Sequence, residues 1–362
     1  MSKVWATRVH LHQTEPSRLT GLLSLDDVDH LLTETAIRTP SVRLARDGSV
    51  LPESRYTRRG ASLAGAPLTG LVDARRLLAE VDDGATAVLQ GLHRSWPPLR
   101  DLVAQLELDL GHPCQANAYL TPPGSQGFAV HSDTHDVFVF QTHGQKRWEI
   151  HTEGRVDDVL LEPGLSMYLP TGTPHAARAE ESASLHVTIG INQVTWRRVL
   201  ERTLLDVVAA VPDDHLPAGY LDHPERLVAG LRERLDEVAE AVRRLDAAEV
   251  VDQRVERFLS SRGTRLPGGL RDLLAVSDLD DDTVLRRRAG HPCVLVDTDS
   301  GLRVLLGDRT LDVPARLRPA LELVRERETL APADLADHLD PESRLVLCRR
   351  LVREGLLTVV TG

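Results

Sequence analysis

The sequence predicts an α+β chain with a barrel or jelly roll of short strands at its centre, helices before it, and a helical segment followed by a helix–strand unit after it. Three observations carry this prediction. Six short β-type runs follow one another between 113 and 191, separated by Pro/Gly punctuation such as Pro122-Pro123-Gly124 and Pro163-Gly164. Beyond Trp196, leucines and valines recur at helical spacing. The last hundred residues read helix, helix, helix, strand.

The elements follow in order. In the mixed first sixty residues, 22–32 carries spaced leucines behind Ser24-Leu25-Asp26-Asp27, a helix start with acids at its positive end. Helices are expected over 74–82 and 97–110, with a short apolar strand at 85–89 between them. The barrel strands are expected at 115–120, 137–141, 147–151, 159–161, 166–169 and 184–191. Six of the twelve aromatic residues lie between Tyr119 and Tyr168, where a packed barrel needs them. Leu227, Leu231, Leu235, Val238, Val242 and Leu245 then mark one face of a helix of about five turns. It packs on the barrel or pairs two copies of the chain, and its length favours pairing. Helices at 315–327, 331–339 and 341–354 and a strand at 356–360 have the order of a winged helix. The expected boundaries are 1–196, 197–254 and 255–362.

Charge and cysteine use narrow the function. The net charge of −11 speaks against a nucleic-acid or anionic-membrane binder. The third helix of the C-terminal unit carries Arg344, Arg349, Arg350 and Arg353, but 255–362 holds 17 arginines against 18 acids. Without a net basic field, direct DNA binding is not expected there. Cys114, Cys293 and Cys348 are widely separated and form no CxxC pair, so neither a structural zinc site nor a disulfide framework is expected. No secretory pattern and no apolar run of about 18 residues stands out, so a soluble cytoplasmic protein is the default expectation. Of 43 basic residues only Lys3 and Lys146 are lysine, and Asn117 and Asn192 are the only asparagines. In a chain that writes arginine almost everywhere, a mid-chain lysine points to a specific task.

The site reads from the middle of the chain. His131-Ser-Asp133 places an imidazole and a carboxylate on one side of an extended segment. Two histidines and one carboxylate on one face leave three coordination positions open, the facial arrangement of non-haem Fe(II) oxygenases. The second histidine is His175, at the end of Gly164-x5-Pro170-x-Gly172-x2-His175. There a strand ends at Pro170, Gly172 makes the turn, and His175 opens the return strand. His135 lies close by, but the three-residue pattern is complete without it, so it reads as a rim residue. His112, His143, His151 and His186 have no partner spacing and read as surface or core residues.

The G-x5-P-x-G-x2-H run resembles the second cupin motif, with Ala179 where the motif closes on asparagine. The stretches Asn117-Ala-Tyr-Leu-Thr-Pro-Pro-Gly-Ser-Gln-Gly-Phe128, His131-Ser-Asp133, Asp136-Val-Phe-Val-Phe-Gln141 and Gly144-Gln-Lys-Arg-Trp148 resemble the ribosomal oxygenases, JmjC-domain protein hydroxylases. The likeness is dense over 113–191 and weakest in the first sixty residues. It implies a double-stranded β-helix (cupin/jelly-roll, JmjC) core, a helical dimerisation segment and a winged-helix-like C-terminal domain. It implies that His131, Asp133 and His175 ligate Fe(II) and that Lys146 pairs with the distal carboxylate of the cosubstrate 2-oxoglutarate. Asn117 supports that cosubstrate, with Tyr119 and Ser184 in the same pocket. A lysine suits a lone carboxylate as a compact point charge. The reaction would consume O2 and hydroxylate a polypeptide side chain, foremost the β-carbon of an arginine or histidine in a ribosomal protein. A secondary-metabolite peptide is the alternative substrate. A cupin without 2-oxoglutarate has no use for Lys146, and lysine demethylation fits the three-part layout less well. A non-catalytic cupin/winged-helix regulator remains the reading of a different class.

Overall fold

The computed structural model describes residues 4–60, 62–152 and 154–360. The chain divides into two compact units, Met1–Gln193 and Val194–Gly362.

The first unit is a two-sheet β-helix clad by helices. Its strands are β1 (His10–Gln13), β2 (Val42–Arg46), β3 (Ser49–Val50), β4 (Ser62–Leu63), β5 (Ala66–Pro67), β6 (Thr86–Leu89) and β7 (Cys114–Thr121). They continue as β8 (Asp136–His143), β9 (Lys146–Thr152), β10 (Arg155–Leu161), β11 (Leu165–Leu169), β12 (His175–Ala179) and β13 (Ser184–Ile191). The large sheet runs β1-β11-β8-β13-β7-β6-β2-β3, and the small sheet runs β10-β9-β12. Every pairing in them is antiparallel.

Alternation along the strands assigns the faces. On β13, Leu185, Val187, Ile189 and Ile191 join the core beneath the helices, so Ser184, His186, Thr188 and Gly190 take the other face. On β7, Cys114, Ala116 and Ala118 face that same core, leaving Gln115, Asn117, Tyr119 and Thr121 opposite. The register pairs Tyr119 with His186 and Asn117 with Thr188, which gathers the polar residues of both strands on one surface. From β8, Val137 and Val139 enter a second cluster with Trp148 and Ile150 of β9 and Met167 and Leu169 of β11. That cluster packs the inside of the β-helix.

The helices of this unit are α1 (Pro16–Thr20), α2 (Leu25–Asp29), α3 (Ala74–Asp82) and α4 (Pro97–Leu110). Ser24 and Asp27 form a reciprocal capping box at α2. The Asp73 side chain caps α3, and α4 opens on Pro97 and closes on Gly111 in the left-handed region, at φ 69°. Leu77, Leu99 and Val103 bury their faces on the large sheet's core.

The second unit begins with α5 (Trp196–Val208), α6 (Pro224–Arg243) and α7 (Ala247–Ser260). Its remaining helices are α8 (Gly269–Ala275), α9 (Arg318–Glu326) and α10 (Pro341–Arg353). Its strands are β14 (Leu285–Arg287), β15 (Val294–Thr298), β16 (Gly301–Leu305), β17 (Thr310–Val313), β18 (Thr329–Leu330) and β19 (Leu357–Val359). They form two sheets, β18-β14-β19 and β15-β16-β17, around a core that includes Leu321, Val324, Leu347 and Leu351. A buried ion pair between Arg288 and Asp272 ties α8 inward, and Asp272 also accepts from Thr358 and from the Val359 backbone N–H. Among the described residues no helix is long and apolar enough to cross a membrane.

Candidate metal centre and cosubstrate cavity

His131, Asp133 and His175 converge: their ligand-capable atoms lie within 4.8 Å of one another, and among the described residues they are the one such group of histidine, cysteine and acid side chains. His135 is not part of it. The backbone explains the convergence. His131 and His175 form an antiparallel bridge, with N–H···O distances of 3.0 and 2.8 Å in the two directions. The Gly172 N–H donates to the Asp133 carbonyl at 2.9 Å, which holds the turn before His175 against the His131–Asp133 segment. Gly172 sits at φ 80°, where a side chain would be strained.

Asp136 clamps the same turn. Its buried carboxylate accepts from the Thr171 backbone at 2.7 Å, from the Thr171 hydroxyl at 2.8 Å and from the Tyr168 hydroxyl. Burial and this carboxylate push the Tyr168 phenol up.

The ring nitrogens are prepared for a metal. Nδ1 of His131 faces the Ala129 carbonyl at 2.9 Å, and Nδ1 of His175 faces the Thr173 carbonyl at 2.9 Å. A carbonyl can only accept, so each Nδ1 donates, and it is Nε2 that is left to meet a metal. Burial holds His175 below the usual imidazole range, against the Thr173 carbonyl; neighbouring His131 adds to the lowering. Two imidazoles and a carboxylate suit a divalent transition metal.

A cavity of about 170 Å3 opens beside the triad, between the two sheets. Lys146 and Trp148 enter it from β9, His186 and Thr188 from β13, and Tyr119 from β7. Lys146 is 4% exposed, and its Nζ donates to the Thr121 hydroxyl at 2.9 Å. Among the described residues it has no carboxylate partner, and burial lowers its pKa to about 7. An ammonium has three donors, and one neutral hydroxyl leaves it undersupplied. Trp148 Nε1 and His186 Nδ1 are also buried without a hydrogen-bond partner. Buried polar atoms without partners around a cavity call for a polar guest. A small dicarboxylate that reaches the metal with one end and Lys146 with the other meets that requirement.

The remaining expected residues divide. Tyr119 lines the cavity, stacks on His186 at 4.8 Å and is pushed up by burial. Asn117 lines a neighbouring cavity, and its Oδ1 accepts from the Gly91 N–H at 3.0 Å. Ser184 is buried outside both linings; it accepts from Gln141 Nε2 at 2.9 Å and pairs in register with Thr121. His186, which reads as a core residue in sequence, sits inside the cavity. The register signal that could have found it is its place opposite Tyr119. Arg43 of β2 also lines the cavity, with its guanidinium 5.4 Å from the Phe128 ring centre.

Fold and site together define a cupin-type double-stranded β-helix with two histidines and one carboxylate grouped as a candidate metal site. Residues 100–155 and 151–199 match the family model described as JmjC domain. It is 27% identical over 225 residues to the "bifunctional lysine-specific demethylase and histidyl-hydroxylase NO66" of Drosophila mojavensis, covering 56% of this chain and 24% of that one. The protein of the same name from Branchiostoma floridae is 41% identical over 116 residues, 30% of this chain and 19% of that one. The chain thus spans at most about a quarter of the length of these curated relatives. The structure of YcfD, a ribosomal oxygenase from Escherichia coli, in complex with cobalt and 2-oxoglutarate, superposes with a TM-score of 0.55 at 19% identity, over 99% of this chain and 97% of that one. The two share a fold.

Proposed function

We propose that the chain is an Fe(II)- and 2-oxoglutarate-dependent oxygenase that hydroxylates a side chain of a protein or peptide in the cytoplasm. A ribosomal protein is the leading substrate, at an arginine or histidine β-carbon. The observation that carries this reading is Lys146, a buried lysine with no carboxylate partner among the described residues, in the same cavity as the metal triad. Bound there, Fe(II) with 2-oxoglutarate and O2 supplies the oxidant, one oxygen atom entering a substrate C–H bond and the other the succinate released with CO2. The protein supplies position. His131, Asp133 and His175 would hold the metal beside the cavity. Lys146, fixed by Thr121, anchors the distal carboxylate. Tyr119, Trp148 and His186 wall the cosubstrate from water. Ser184 supports the anchor indirectly, through Gln141 and its pairing with Thr121, and Asn117 acts from the neighbouring cavity.

The same reading makes 197–254 a dimerisation region. No residue of α5, α6 or α7 is fully buried, and Leu200, Leu204, Leu231, Leu235 and Val251 are exposed apolar side chains at helical spacing. A second copy of the chain would cover them. The unit 255–362 fits a winged-helix-like domain that serves protein contact.

The test is succinate formation from 2-oxoglutarate with Fe(II) and O2, comparing wild type with His131→Ala and Lys146→Ala. Turnover lost in His131→Ala, with a raised 2-oxoglutarate KM in Lys146→Ala, supports the proposal. No turnover in the wild type, even with ribosomes and lysate supplied, refutes it.

A further inference from the structure

The turn that presents His175 is braced from the far end of the chain. It meets the triad through the Gly172 N–H, which donates to the Asp133 carbonyl at 2.9 Å, and through the Thr173 carbonyl, 2.9 Å from Nδ1 of His175. Thr171 of the same turn is held by Asp136 through its backbone N–H and its hydroxyl. Asp136 in turn accepts from the Tyr168 hydroxyl. With its proton on Asp136, that hydroxyl has lone pairs left to accept, and it accepts from the backbone N–H of Ala6 at 2.8 Å. A chain of hydrogen bonds therefore runs from residue 6 to the turn beside the metal ligands.

The N-terminal segment is shaped around this contact. Val4 is buried. The Trp5 ring stacks on Tyr168, with ring centres 6.1 Å apart and planes 17° apart, and on His112 at 5.5 Å and 6°. Between Trp5 and Phe138, whose ring centre lies 5.4 Å away, the Tyr168 ring is held on both sides. The Thr7 N–H closes a turn on the Val4 carbonyl at 3.1 Å. Ala6 takes φ 55° in that turn, a left-handed conformation that favours glycine, and its N–H reaches Tyr168 from there. The chain then enters β1, where His10 pairs with Tyr168 and all four residues are exposed. That strand buries no side chain. It lays the segment along β11, which leads into the turn.

We infer that Trp5 and Ala6 are positioning residues of the metal centre: they fix Tyr168, and through Asp136 and Thr171 they fix the turn from which His175 meets the metal. The inference rests on the proposed function, because it takes the triad to hold a divalent metal. Partners beyond the ligands orient them, and losing such a partner weakens metal binding by about 10- to 100-fold. Without the Trp5 ring, Tyr168 is free to swing off Asp136, and the carboxylate loses one of the donors that hold it against Thr171.

The experiment titrates cobalt(II) into the full metal-free chain, with no cosubstrate or substrate. Binding is followed by visible absorption and by competition with a chelating dye. Circular dichroism and thermal unfolding are recorded on the same samples. The variants are Trp5→Ala, Trp5→Phe, Tyr168→Phe and the double variant Trp5→Ala with Tyr168→Phe. Trp5→Ala and Tyr168→Phe should each raise the cobalt Kd by about tenfold or more. The double variant should lose no more than the larger single loss, because both changes break the same relay. Trp5→Phe keeps a ring to stack and should restore most of the affinity. If Trp5→Ala does not fold, Trp5→Leu, which fills the space and cannot stack, takes its place with the same expectation. A lower unfolding temperature with unchanged cobalt affinity would make Trp5 a packing residue only and overturn the inference. Fully additive losses in the double variant would overturn it too. A wild type that binds no cobalt overturns the proposed function itself, and the relay with it; that failure shows before any variant is compared.

Discussion

Replacing Lys146 with methionine should stabilise the empty protein while weakening 2-oxoglutarate binding. Burial takes the Lys146 pKa from 10.5 to about 7. A shift of that size corresponds to roughly 5 kcal/mol, at about 1.36 kcal/mol per unit. The sign follows from proton counts. Between pH 7 and 10.5 the unfolded chain binds the proton and the folded chain releases it, so stability rises with pH across that window. At and below pH 7 the folded protein carries most or all of the cost of a buried ammonium. Methionine, of similar length and apolar, removes the cost, so the empty variant should unfold several degrees higher at pH 7 and show no stability gain between pH 7 and 10. With 2-oxoglutarate the order reverses. Deleting one partner of a buried charge pair costs about 2–5 kcal/mol, or roughly 30-fold to a few thousand-fold in Kd. For the wild type, binding should take up a proton above pH 7, because the empty-site lysine is largely neutral there and the bound one is charged. Thermal unfolding with and without 2-oxoglutarate, and calorimetry in buffers of different ionisation enthalpy, read all of this. A Lys146→Met protein that is less stable when empty, or that binds 2-oxoglutarate as the wild type does, would refute the assignment of Lys146 as an anchor waiting for its carboxylate.

Further expectations follow from single contacts. Asp136→Asn keeps the shape but weakens the clamp on Thr171 and Tyr168, so metal affinity should fall by about tenfold or more, read by competition with a chelating dye. An unchanged affinity would leave the clamp without a functional part. A Cβ at Gly190 would lie 2.5 Å from Nε2 of His135; Gly190→Val should therefore displace that ring and destabilise by about 1–3 kcal/mol, seen as a lower denaturation midpoint. Leu231→Asp with Leu235→Asp should convert a dimer to a folded monomer by sedimentation, and a dimeric double variant would remove α6 from the interface.

Much of the barrel is legible because its strands follow period-two alternation. The helices at 74–82 and 97–110 and the strand at 184–191 lie where the pattern places them. The edge strand β1 is not legible: all four of its residues are exposed, and backbone pairing with β11 alone defines it. The strands between 285 and 313 are too short, at three to five residues, to show a period. At the site, the arginine-rich composition works in both directions. It isolates Lys146 among 43 basic residues and hides Arg43 among the 41 arginines. His186 is hidden for another reason, since a lone histidine between Leu185 and Val187 reads as core until the register sets it opposite Tyr119.

In the proposed enzyme the triad and Lys146 together hold 2-oxoglutarate on one Fe(II) ion. Anaerobic titration of the Fe(II)-loaded protein with 2-oxoglutarate, followed by visible absorbance, tests it directly. A metal-to-ligand charge-transfer band should saturate at one equivalent in the wild type, be lost in His131→Ala, and need far more 2-oxoglutarate in Lys146→Met. A wild-type protein that binds Fe(II) and develops no band would contradict it.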